Sequence, residues 1–374
     1  MKEFTSSYDN GFKEALLKAN VTLGISTYNA SKLIIAWADS NNVVIHSSSI
    51  PRAMGIGFEG ELMAVASKAG MSMFRCFNVE DDVNLSANSD YIWLERAKYL
   101  TGPIDAHDVA VSNRQIFAVN TAWSCISVFG FEDSFKPIWR PAFISSHSPT
   151  DRCHLNGMAL REGKPAYATA LGKSNEPAGW KADIVNGGVL METKSKSIMA
   201  DSLSLPHSPV YIGERNELWF LQSGAGSVCR FDWEKKCVVP VVETGLFIRG
   251  LAIQNQIAFV GFSQLRKSSK TFKPLKDKLQ GELCGVLAAD LNTGAILGKM
   301  TFGDPVQELY DVSIFPGAGR HLVVSEGDAN HGTFLATGDR LVRVGRTRSE
   351  SARADSLRVL PTRTRRSPVA KKVP

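Results

Sequence analysis

His107 stands beside Asp108, and an imidazole oriented by a carboxylate is what general-base chemistry requires. The same pair could equally pin one sheet to its neighbour through hydrogen bonds. His154 and Asn156, two residues apart and followed by Gly157, offer an imidazole and an amide oxygen, both able to coordinate a metal. They could also form a turn in which Asn and Gly take positive φ. In Pro206-His207-Ser208-Pro209 two prolines stiffen the backbone around His207, which suits a site or a rigid start to a strand. Arg249-Gly250 can hold an anion, although a salt bridge to Glu308 or Asp311 would use the same guanidinium. Trp180-Lys181 can stack on a sugar or planar ligand, or simply cap a sheet. Cys153 next to His154 raises a thiol nucleophile, against the plainer reading of a buried cysteine. No G-x-S-x-G elbow, phosphate-binding loop or dinucleotide glycine fingerprint occurs in a supporting context.

These residues sit at corresponding places in a repeat. A turn residue, two alternating hydrophobics and a second apolar run recur from Gly55, Asp108, Gly157, Pro209, Gly250 and Asp311, at spacings of 41 to 61 residues. Alternation over four to six residues between Gly, Asn and Pro turns signals strands, and this period is that of a four-stranded propeller blade. Six innermost strands predict an all-β, six-bladed β-propeller. Val21 to Ser49 reads as strands two, three and four of a blade without its first strand, and Asp311 to Phe315 as a first strand without partners. Joining them closes the ring with one C-terminal and three N-terminal strands, removing exposed edges. A competing second strand is visible at His321 to Glu326. Only Phe12 to Leu17 reads as helical, so residues 1–20 are expected to lead into a propeller spanning 21–332.

The chain has 374 residues, 44% hydrophobic and 21% charged, which excludes general disorder. Its net charge of +6 is misleading. Arg340 to Pro374 holds eleven Lys and Arg against Glu350 and Asp355, leaving the body mildly acidic. The expectation is a basic, disordered tail over 333–374 that attaches to nucleic acid only non-specifically, and a body with no nucleic-acid role. Six cysteines without a C-x-x-C pair, no membrane-span-length apolar run and no signal-peptide core lead to the expectation of a cytoplasmic protein that does not enter membranes.

The blocks ISTYNASKLI, TGPIDAHDVA, VNTAWSC, SFKPIWRPAFIS, DRCHLNGMAL, ALGKSNEPAGWK, LPHSPVY, LWFLQSGAGS, FIRGLA and ELYDVSIFPG resemble an uncharacterised bacterial β-propeller family of conserved hypothetical proteins with a domain of unknown function. DRCHLNG and PHSP are the most specific of them. The resemblance covers Val21 to Gly317 and implies a propeller, with no reaction and no catalytic residue to carry over. The sequence departs from the family's habit at Ala53-Met54, where Pro-Met is usual, and after PHSPV, where an Arg commonly follows.

In a propeller, the starts of the innermost strands meet at one rim. That gathers Arg52, His107, Asp108, His154, Asn156, His207, Arg249 and Tyr310 at a central mouth. Returning loops are expected to add Trp180, Ser223, Ser263 and Arg266. The favoured reading is a His-rich mouth that binds a small molecule, glycan or peptide. The alternative is a metal-dependent hydrolase of lactonase type. There Asp108, Asn156, Glu308 and Asp311 would hold a divalent cation, and His107 or His207 would move the proton.

Overall fold

The computed structural model describes residues 4–68, 70–78, 89–265, 273–275, 279, 281, 283–328, 331–338, 340–343 and 358–360. The chain opens with β1 (Ser6–Tyr8), helix α1 (Asn10–Ala19), β2 (Leu23–Thr27), β3 (Lys32–Ala38) and β4 (Val43–Ser49). Blade 1 follows as β5 (Ile56–Glu59), β6 (Leu62–Ser67), β7 (Gly70–Asn78) and β8 (Tyr91–Tyr99). Blade 2 is β9 (Ala106–Ser112), β10 (Gln115–Asn120), β11 (Cys125–Val128) and β12 (Lys136–Trp139). Blade 3 is β13 (Leu155–Arg161), β14 (Lys164–Ala170), β15 (Gly188–Glu192) and β16 (Ile198–Leu203). Blade 4 is β17 (Pro206–Ile212), β18 (Glu217–Gln222), β19 (Ser227–Asp232) and β20 (Cys237–Glu243). Blade 5 is β21 (Ile248–Gln254), β22 (Ile257–Phe262), β23 (Cys284–Asp290) and β24 (Ile296–Phe302). Then come β25 (Leu309–Ile314), β26 (His321–Val324), β27 (Phe334–Thr337), β28 (Arg340–Arg343) and β29 (Arg358–Leu360).

β25 pairs with β2, placing Asp311 opposite Ser26 and Leu23 opposite Ile314, so blade 6 runs β25-β2-β3-β4. Each innermost strand touches the next around the axis: β5, β9, β13, β17, β21 and β25 form a closed ring. The protein is therefore a six-bladed propeller closed by one C-terminal and three N-terminal strands, as the repeat predicts. Among the described residues no helix is long and apolar enough to cross a membrane.

Both ends of the chain depart from expectation. Residues 6–20 do not merely lead in: β1 pairs with β24 as a fifth strand of blade 5, and α1 is packed into the body. Asp9 caps the helix, its Oδ1 accepting from Phe12 N at 2.9 Å, and Phe12, Ala15, Leu16 and Ala19 bury one face. That face joins Leu23 and Ile25 of blade 6 and Phe259 and Val286 of blade 5 in one core, so the helix seals the seam at which the ring closes. The competing strand, His321 to Glu326, is also resolved. β26 takes no place in blade 6 but lies parallel to β8 on the outside of blade 1.

The tail expected from residue 333 onward starts instead as a hairpin. β27 and β28 pair, and Phe334 and Leu341 are buried with Phe77, Ile92 and Leu94 of blade 1 and Val324 of β26. The apolar pair flanking the Gly338 turn was diluted by the Arg-rich composition of the longer segment. Apart from Arg358–Leu360, residues from 344 onward lie outside the described ones.

His321 fastens β26 to the blade. Trp93 Nε1 donates to His321 Nδ1 at 2.9 Å, so Nε2 carries the proton and donates to Gly317 O at 3.0 Å. The ring stacks on Tyr91 with centroids 4.5 Å apart. Only the neutral ring makes this set of bonds, and burial lowers its pKa from 6.5 to about 4. The unfolded chain then takes up a proton before the folded one does. This contribution to stability is complete above pH 6.5 and is lost progressively as pH falls toward 4. The predicted result, read from denaturant midpoints of wild type and His321→Phe, is a gap that is widest at pH 7 and shrinks by pH 5. A gap independent of pH would show that the protonation of this ring does not matter.

Candidate functional site

One alternation governs the inner ring. Blades 2, 4 and 6 carry Asp108, Ser208 and Asp311 where blades 3, 5 and 1 carry Gly157, Gly250 and Gly55. Each polar residue reaches the backbone of the following blade. Asp108 Oδ2 accepts from Met158 N at 2.8 Å, Ser208 Oγ from Gly250 N at 3.1 Å, and Asp311 Oδ2 from Ile56 N at 2.9 Å. The carboxylates also accept, through Oδ1, from the next N–H in their own strands, Val109 and Val312, both at 2.8 Å. The glycines allow the reverse approach. A Cβ on Gly55 would lie 2.8 Å from Asp108 Cα, and one on Gly250 would lie 2.6 Å from Val312 N. Gly157 likewise abuts Pro209.

Around the axis this leaves a channel of about 150 Å³ to which all six innermost strands contribute. Of the residues expected at the mouth, His107, Asp108, Asn156, His207, Arg249, Tyr310 and Asp311 line it. Asn156 is tied down at both ends of its amide, its Oδ1 accepting from Thr169 at 2.7 Å and its Nδ2 donating to Pro206 O at 2.9 Å. His107 Nδ1 is 3.0 Å from Asp105 O, and His207 Nδ1 is 3.0 Å from Leu205 O and 3.1 Å from Ser223 Oγ. Burial pushes both imidazoles well below the usual histidine range, so both are neutral near pH 7. Burial, and then the neighbouring Asp311 carboxyl, pushes Asp108 up to about 8. Burial raises Asp311 as well.

Arg249 does not pair with Glu308 or Asp311. Its guanidinium carbon lies 3.5 Å above the centre of the Tyr310 ring, and among the described residues no carboxylate is within ion-pair distance. Among the described residues the buried Tyr310 hydroxyl has no hydrogen-bond partner, and burial, outweighing the nearby Arg249 guanidinium, holds it well above the usual phenol range.

Arg52, His154, Trp180, Ser223, Ser263 and Glu308, all expected at the mouth, stand outside the channel, Ser223 bonded to His207 and Ser263 to Leu309. His154 Nδ1 lies 2.8 Å from Asp151 Oδ2, which also accepts from Trp180 Nε1 at 2.9 Å. The carboxylate-oriented imidazole is thus His154, held by a residue three positions upstream, whereas Asp108 beside His107 is directed at the next blade. The missed signal was the spacing within Asp151-Arg-Cys-His154, a turn that brings the two ends together. His154 packs edge-on to His107, with centroids 4.7 Å apart, behind the channel wall. Trp180 has no free face for a ligand: it is buried among Leu171, Ile184, Leu205 and Leu265, with His154 4.4 Å away. Arg52 donates to Tyr28 OH at 3.1 Å on the exposed rim. Glu308 accepts from Asn29 at 3.1 Å and does not line the channel. Arg266 lies outside the described residues.

Two chemistries do not fit this geometry. Cys153 is fully buried and its thiol is pushed up to about 12, far from a nucleophile's range. The lactonase-type ligand set does not assemble either. Both oxygens of Asp108 and Asp311 are committed to backbone N–H groups, Asn156 is engaged, and Glu308 points elsewhere. Among the described residues no three His, Cys, Asp or Glu side chains form a metal-holding group.

A family described as Domain of unknown function (DUF4915) matches residues 10–324. No curated protein matches the chain. A chain in the crystal structure of the Nidogen/Laminin complex is similar over 79% of this chain and 98% of its own, with 12% identity and a TM-score of 0.52. At that identity the likeness extends to the fold and no further.

The inner-ring contact generates a paired test. Gly250 has φ +84° and no room for a methyl group, whereas Gly245 has φ +66° and nothing within 4 Å. Gly245→Ala should cost only the backbone strain, about 1 kcal/mol, and Gly250→Ala at least about 2 kcal/mol more by chemical denaturation. Equal losses would show that blades 5 and 6 do not depend on this close approach.

Proposed function

Because the chain belongs to the Domain of unknown function (DUF4915) family, whose description specifies no activity, we propose from the channel itself that the protein binds a small polar anion on the propeller axis. The observation that carries this reading is Arg249. It is a permanent cation over Tyr310 with no carboxylate at ion-pair distance among the described residues. Desolvating a cation is costly unless a counter-charge accompanies it, and attraction to an anion grows where water is excluded. Burial, and then the Asp311 carboxyl, raises Asp108 toward its neutral form, which weakens it as the counter-charge. The Tyr310 hydroxyl, buried without a partner among the described residues, is a further donor on the residue whose ring lies under the guanidinium.

A volume of about 150 Å³ suits a compact molecule of a few heavy atoms. A peptide or glycan would enter only by a terminal group. The hydrogen bonds that orient the two channel imidazoles go to backbone carbonyls, with the Asp105 carboxylate farther from His107 Nδ1 at 3.7 Å, which suits recognition better than proton transfer. All six cysteines are free, which supports the reducing cytoplasm as the location.

Melting curves test the reading. Acetate, phosphate and sulfate are compared with glycerol and glucose as chloride-matched additions. At least one anion should raise the melting temperature with the concentration dependence of mass action, reaching about 2.7 kcal/mol at a hundred times its Kd. Arg249→Met should fold and lose that response. A shift that persists in Arg249→Met, or one produced only by the neutral compounds, would refute the anion site.

A further inference from the structure

We propose that the channel's ligand is a small carboxylate bearing a hydroxyl on the carbon next to the carboxyl, its anionic end held by Arg249 and Tyr310 and its hydroxyl by a histidine Nε2. This rests on the anion reading above and specifies it.

The inference follows from counting which polar atoms of the wall are already committed. A carbonyl oxygen can only accept, so the 3.0 Å contacts to Asp105 O and Leu205 O place the hydrogen of each ring on Nδ1. A neutral imidazole has only one such hydrogen. Nε2 of His107 and of His207 is therefore a bare acceptor, with no donor on it among the described residues. The other polar side chains of the wall each hold at least one bond within the protein. Asn156 bonds to Thr169 and Pro206, and the carboxyls of Asp108 and Asp311 bond to backbone N–H groups. What has no hydrogen-bond partner at all among the described residues is a donor set, Arg249 and the Tyr310 hydroxyl, and an acceptor set, the two Nε2 atoms. Tyr310 links the two sets, since its ring lies under Arg249 and 5.3 Å from the His107 ring.

A ligand that fits must present acceptors to the first set and a donor to the second, because a buried polar atom left without a partner is penalised. A plain carboxylate satisfies Arg249 and Tyr310 but turns carbon toward the imidazoles. A polyol satisfies the imidazoles and leaves the guanidinium uncompensated. An amino acid brings a second full charge into the channel with no uncommitted carboxylate to meet it. A hydroxyl acid satisfies both sets with one charge, within the space available.

Four compounds of nearly equal size separate these possibilities: lactate (each enantiomer), propionate, alanine and 1,2-propanediol. Their binding to the full chain is followed by calorimetric titration and saturation-transfer NMR. One lactate enantiomer should bind about tenfold or more tightly than propionate, and 1,2-propanediol should show no saturable binding. Asparagine keeps a donor near the Nδ1 position and has no atom at Nε2. His107→Asn or His207→Asn should therefore bring lactate to within about threefold of propionate while propionate affinity holds. Equal wild-type affinities for lactate and propionate would overturn the hydroxyl assignment and leave the anion site standing. So would alanine binding most tightly, and neither comparison depends on a variant folding. If no carboxylate binds at all, the anion reading falls with it.

Discussion

The structure depends on a contact repeated three times around the axis, in which a side-chain oxygen on one inner strand receives the backbone N–H of the next blade. Asp108, Ser208 and Asp311 provide the oxygens, and Gly55, Gly157 and Gly250 on the other three blades remove the Cβ that would hold the strands apart. A propeller must satisfy the inner edges of its sheets without a continuous ladder between blades, and each such bond satisfies a buried donor. Two of the three acceptors are carboxyls, and burial raises both toward the neutral form. These two acids on the axis therefore hold neighbouring blades together through backbone N–H groups.

Polarity in the channel is set by the same economy of partners. Backbone carbonyls direct the hydrogen of His107 and His207 to Nδ1, and burial keeps both rings neutral. Their outward nitrogens become acceptors at the wall. Arg249 likewise has no acid partner among the described residues and is laid on the Tyr310 face. The third histidine, His154, belongs to another assembly. Asp151 joins it to Trp180, which is buried in an apolar cap formed by loops of blades 3 and 5.

Much of the architecture was legible because the pattern is local and repeats. Alternating runs from Gly55 through Asp311 marked six inner strands, and the unpartnered triplet from Val21 to Ser49 had only one place to go. The placement of His107, Asn156, His207, Arg249 and Tyr310 on the channel followed from their equivalent positions in the repeat. The errors arose where pairing is decided by distant chain. β1, β26 and the β27–β28 hairpin are three or four residues long and exist as strands because blades 5 and 1 offer an edge or an apolar face. Side-chain direction was hidden as well. Asp108 is adjacent to His107 in sequence yet bonds to Met158, while Asp151, three residues from His154, is the carboxylate that orients an imidazole.

By itself the sequence determined the blade count, the closure and the ring of residues that faces the axis. These depend on periodicity, turn chemistry and the need to leave no sheet edge open, all properties of short stretches of chain. Tertiary structure alone decided which polar atoms of that ring are satisfied by the protein and which are left to a ligand. Partners such as Pro206 for Asn156 or Leu205 for His207 are assigned by how strands from different blades approach, and a hydrogen bond is directional to within a few tenths of an ångström.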